Sequence, residues 1–85
     1  MPITYREIVA RGDAYVASYP EAKPLDRCMA MIAACIDDGI DERRRIVGAI
    51  HTAYPKFSPK FVGFVLTRLT GTIWKCGPEH CFTMI

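Results

Sequence analysis

Apolar residues recur every three or four positions through most of this chain, and the pattern gives way to short apolar runs only near its end. Tyr5, Ile8, Val9, Gly12, Tyr15, Val16 and Tyr19 share one side of a helix predicted over residues 5–19, with Arg6, Glu7, Arg11, Asp13 and Ser18 on the other. Thr4 followed three positions later by Glu7 is a capping-box pattern, and Pro20 stops the helix. Gly12 in the apolar stripe predicts that another element packs close at that point.

After the connector Glu21-Ala22-Lys23-Pro24, too short to separate domains, Leu25, Cys28, Met29, Ile32, Cys35 and Ile36 form the stripe of a second helix. Its opposite side offers Ala30, Ala33 and Ala34, so it is apolar nearly all round. A central core helix covered on two sides is the first expectation, and a homodimer contact through the small residues is the second. Asp37-Asp38-Gly39-Ile40-Asp41 is a break, with Gly39 closing the helix behind and Asp41 capping the one ahead. That third helix, over residues 42–54, turns Ile46, Val47, Ile50, Ala53 and Tyr54 inward and Arg44, Arg45, Gly48, His51 and Thr52 outward.

The fourth helix has both ends written into the sequence. Ser58 caps residues 58–70, Pro59 fits the first turn and Gly71 closes it. Phe61, Val62, Val65, Leu66 and Leu69 fall on the core side, and Lys60, Gly63, Thr67 and Thr70 on the other. Residues 72–76 and 81–85 read as strands around Gly77-Pro78-Glu79-His80. With Cys76 placed opposite Cys81, Ile73, Lys75, Phe82 and Met84 share one face of this hairpin and Trp74 lies on the other. The expected fold is mainly α, four helices plus a C-terminal β-hairpin, in one domain of 85 residues.

Charge changes the picture more than composition does. The formal net charge is +2, yet residues 1–42 carry eight acidic and four basic side chains, whereas residues 43–78 carry seven basic ones and no acid: Arg43, Arg44, Arg45, Lys56, Lys60, Arg68 and Lys75. Clustered cations gain by displacing counterions from phosphates, so an anionic partner is expected. The competing explanation is that the acidic half neutralises the basic half within one fold. With 51% hydrophobic residues the chain is globular, and no apolar run reaches the roughly 18 residues of a membrane span. The first residues show no signal region, which points to the cytoplasm.

Three helices followed by a hairpin, with Val62, Leu66 and Leu69 on the last helix and Gly71 behind it, resemble the winged helix-turn-helix superfamily over residues 25–85. Residues 1–19 add a helix in front. The resemblance implies a regulatory protein that lays its last helix in the major groove of DNA and its wing on the backbone. Ser58, Lys60, Gly63, Thr67 and Arg68 would then face the groove, with Lys75 and His80 on the wing and Arg44, Arg45 and Lys56 adding basic contacts.

Phe64 falls between Lys60 and Arg68, on the face that should read bases. Three readings stand: a core residue of a slightly rotated helix, an anchor for a protein partner, and a contact to a thymine methyl. The second leads to the alternative function, a compact protein-binding inhibitor or adaptor of the kind phages encode, including anti-CRISPR proteins, that uses Phe64 and the basic face against an anionic protein surface.

Cysteine chemistry and catalysis carry less. Cys76, His80 and Cys81 could supply metal ligands, but no pair has Cys-x2-Cys spacing, so no metal or cofactor is expected. Cys28 and Cys35 suit small core positions, and a cross-strand Cys76–Cys81 disulfide is open under oxidising conditions. Neither His51 nor His80 has an acid, a nucleophile or a glycine-rich phosphate loop beside it, and no enzymatic activity is expected.

Overall fold

The structure, a computed structural model, describes residues 4–77 and 81–85. Four helices, α1 (Tyr5–Ser18), α2 (Pro24–Asp37), α3 (Arg43–Ala53) and α4 (Pro59–Leu69), precede an antiparallel pair of strands, β1 (Trp74–Cys76) and β2 (Phe82–Met84). Among the described residues no helix is long and apolar enough to cross a membrane.

The helix ends are chemical. The Oγ of Thr4 accepts from the amide of Glu7 at 3.2 Å, and Ser58 Oγ accepts from the amide of Phe61 at 3.1 Å with Pro59 in the first turn. Gly39 and Gly71 follow α2 and α4 with φ of +89° and +92°, a region that costs other residues a Cβ clash. The cap of α3 differs from expectation. Glu42, without a side-chain hydrogen bond, precedes that helix, and Asp41 instead offers its carbonyl to the amide of Phe82 at 2.7 Å.

α2 is the central element, packed against α1, α3, α4 and β2. Cys28, Met31, Ile32, Ala34, Cys35 and Ile36 are all buried, so the buried arc extends to Met31 and to Ala34 on the side expected to be merely small. Ile8, Ile46, Ile50, Val62, Val65 and Leu66 complete the core from the other helices. Where α1 meets α2, side chains of α2 pack against the bare Cα of Gly12: a Cβ there would sit 3.0 Å from Met31 Cγ and 3.1 Å from Arg27 Cγ. Tyr5 and Tyr19, expected inward, are exposed, because α1 buries only the stripe around Ile8 and Gly12.

The hairpin register is one residue away from the expected one. Cys76 stands opposite Phe82, Lys75 opposite Thr83 and Trp74 opposite Met84. A slip of one position moves a strand's side chains to the other face, so Trp74 joins Phe82 on the inner face and Lys75 turns outward. Burial of the two aromatic rings favours this register; the expected one would have put Lys75 beside Phe82. Cys76 and Cys81 now sit on opposite faces of the ribbon, which does not suit a disulfide between them. A third edge is added by the α2–α3 connection, where Glu42 forms an antiparallel bridge to Cys81.

Candidate functional site

α4 presents its outer face beside the hairpin because its inner face is committed. Val62, Val65 and Leu66 are buried, which rotates Lys60, Phe64, Thr67 and Arg68 to the surface. Phe64 is 54% exposed. The core reading of this ring is therefore overturned, since the apolar arc of α4 is filled without it. Lys60, Phe64 and Arg68 follow at four-residue steps, forming one ridge with an aromatic ring between two cations.

The adjoining strip of α4 is occupied from within. Arg43, the first residue of α3, donates from Nη2 to Thr67 Oγ1 and from Nη1 to the carbonyl of Gly63 at 3.3 Å. Its guanidinium also lies 6.0 Å from the ring centroid of Phe82. Gly63 and Thr67, predicted to approach a partner closely, are thus partly covered by an arginine of the same chain, and a Cβ at Gly63 would meet Arg43 Nη1 at 3.5 Å. Arg43 itself was not among the predicted contact residues. Its partners lie 20 and 24 positions away, so no local pattern marks it off from its two arginine neighbours.

A groove of about 610 Å³ runs between α4 and the hairpin, lined by Arg43, Thr67, Thr70, Cys76 and Phe82. The indole Nε1 of Trp74 and the hydroxyl of Thr70 both donate to the Leu66 carbonyl, at 3.0 and 2.7 Å, which ties the hairpin to the end of α4. Lys75 is exposed on the outer face of β1.

The remaining predicted residues are dispersed. Ser58 spends its hydroxyl on the helix cap. Arg44 and Arg45 are exposed, but at about 100° per residue Arg45 lies on the far side of α3 from Arg43. Lys56 lines a separate cleft by the α3–α4 turn. His80 lies outside the described residues. His51, expected to be solvated, is half-buried, with Nδ1 2.9 Å from the Phe57 carbonyl, where it braces the turn that aims α4.

Burial pushes the Cys28 and Cys35 thiols up to about 12, the charge of Cys35 adding to the effect at Cys28 and that of Asp38 at Cys35. Both remain protonated and apolar, which suits filling and disfavours nucleophilic or ligand chemistry. Among the described residues no three His, Cys, Asp or Glu side chains gather closely enough to hold a metal ion.

Compared with known proteins, the chain matches no family model, no curated protein and no solved structure.

Proposed function

We infer that this protein is a DNA-binding regulator that sets the outer face of α4 in the major groove, with Arg43 at the groove edge and the hairpin on the phosphate backbone. The observation that carries this reading is the sign of the surface: no acidic side chain lies on α3, α4 or either strand, while Arg43, Arg44, Lys60, Arg68 and Lys75 are exposed there. An 11-residue helix is about 16 Å long, enough to enter a groove about 12 Å wide. The order of elements supports the same reading. A connection that pairs onto the hairpin, two helices, and then the hairpin itself leave the last helix and the ribbon side by side, as a winged helix needs. The reading assigns the protein to the cytoplasm.

Phe64 favours a second reading, a protein-binding inhibitor or adaptor. A half-exposed phenylalanine centred between two cations has the chemistry of an interface anchor for a partner that offers an apolar hollow with an acidic rim.

Fluorescence anisotropy with a generic DNA duplex over a salt series separates the two. In the DNA reading, affinity falls steeply with salt, Lys60→Ala, Arg68→Ala and Lys75→Ala each lower the slope by about one, and Phe64→Ala matters little. Undetectable duplex binding at low salt excludes the DNA reading and leaves the anchor reading.

A further inference from the structure

Lys56 is absent from the α4 face because it belongs to another cavity with its own chemistry. Between the end of α1, the start of α2 and the α3–α4 turn lies an open cleft of about 580 Å³, a size common among small-molecule sites. Aromatic rings form a ladder along it: Tyr54 and Phe57 have centroids 4.7 Å apart, and Phe57 and Phe61 5.1 Å apart. Phe57 is buried, whereas Tyr54 and Phe61 are half-buried and leave ring surface open. Lys23, Arg27 and Lys56 line the same space, and among the described residues no carboxylate does.

These three cations are not equivalent. The Arg27 guanidinium pairs with Asp13 and lies 5.5 Å from the Tyr54 ring centroid, so its fork is engaged within the protein. Among the described residues no carboxylate pairs with Lys23 or Lys56. Asp26, on the first turn of α2, directs its carboxylate to the backbone amide of Lys23 at 2.8 Å, leaving the ammonium unanswered. A neutral apolar ligand would satisfy the rings and not the lysines, and a small hydrated anion would do the reverse.

The geometry points to a site for a small ligand built of a flat aromatic ring bearing one anionic group, a carboxylate or a phosphate, with the ring against Tyr54 and Phe61 and the anion between Lys23 and Lys56. An ammonium is a point charge without the fixed fork of a guanidinium, so the same pair serves either headgroup. The ring contributes stacking and buried area, and the headgroup contributes charge-assisted hydrogen bonds. This site does not depend on the DNA reading, since neither lysine is on the outer face of α4.

The test is a titration of isotope-labelled protein, followed by amide chemical shifts, with three probes of one ring system: 1-naphthoate, 1-naphthyl phosphate and the neutral 1-naphthamide. Saturable shifts are expected around residues 22–27 and 54–61 for at least one of the two acids, with naphthamide at least about tenfold weaker, the factor expected for losing one charge-assisted contact. The tighter acid identifies the headgroup. Lys23→Gln with Lys56→Gln, both at exposed positions, should bring the acids to the level of the amide. Equal binding of acid and amide, shifts that do not saturate or lie elsewhere, or unchanged acid affinity in the double variant would overturn the proposal. So would shifts that follow protein concentration instead of ligand, which would show a second copy of the chain in the cleft.

Discussion

The indole of Trp74 donates to the main-chain carbonyl of Leu66 at 3.0 Å. That carbonyl is open because α4 ends there: the amide of Thr70 bonds to Thr67 instead, at 3.2 Å, and the Thr70 hydroxyl is the second donor to Leu66. A helix terminus and a hairpin are thereby joined through one acceptor, which holds the groove between them at a set width.

Trp74→Phe keeps an aromatic ring in the core and removes this donor. We expect a loss of about 1–3 kcal/mol, from the missing hydrogen bond and the smaller ring together. Thr70→Val should cost about 1 kcal/mol, and the pair should cost more than the sum, because only then does the carbonyl lose both side-chain donors. Urea denaturation of the four proteins checks this; strict additivity would show that the two donors do not share the acceptor's energetics.

Gly12 of α1 lies directly against the Met31 and Arg27 side chains of α2. Gly12→Val should destabilise the fold by about 1–3 kcal/mol, since the new methyls meet Met31 and Arg27 where a Cβ alone already sits at 3.0–3.1 Å. Gly12→Ala should cost less, because alanine's higher helix propensity opposes the overlap and the Met31 side chain can shift. Melting temperatures ordered wild type, Ala, Val from high to low are the expected result.

Cys28 and Cys35 make stability sensitive to alkali. Their thiols ionise near pH 9 in the unfolded chain and only at about 12 when buried, so between these values the unfolded state has lost protons that the native state keeps. Stability is therefore intact below pH 9 and falls as pH rises through that window. Urea midpoints at pH 8 and pH 10.5 should show this fall, and Cys28→Ala with Cys35→Ala should flatten it. A thiol reagent should modify exposed Cys76 in the native protein and reach Cys28 and Cys35 only in denaturant.

Phe64 and Arg43 should separate surface from structure. Phe64→Ala should leave the melting temperature within the range of an ordinary surface change, about 0.5 kcal/mol, because the apolar arc of α4 is complete without that ring. Arg43→Ala should cost about 1 kcal/mol, since it removes the bonds to Gly63 and Thr67 in a partly solvated setting. Thermal melts measure both, and a large destabilisation by Phe64→Ala would show that the ring is packed into the fold.

Apart from Asp41, which does not cap α3, the residues that start and stop the helices were legible one at a time. Thr4, Ser58-Pro59, Gly39 and Gly71 act on backbone groups within four positions, and each is found at an end. Helix faces were legible where the apolar arc was broad, as on α4, but not at Tyr5 and Tyr19, where the width of the covering helix decides burial. Of the candidate interface, the ridge Lys60–Phe64–Arg68 could be drawn from periodicity alone. Its neighbour Arg43 could not, and neither could the removal of Lys56 to the aromatic cleft.

By itself, then, the sequence determined what depends on neighbours along the chain: four helices, the side-chain caps of α1 and α4, a terminal hairpin and the sorting of acid and base into separate halves. Tertiary structure decided what depends on distant partners. The hairpin register was settled by burying Trp74 and Phe82 against the helices, an energy no strand contains alone. Which of three adjacent arginines reaches α4, and which lysines meet the stacked rings, followed from how the helices cross, because packing rather than spacing brings positions 20 or more apart into contact.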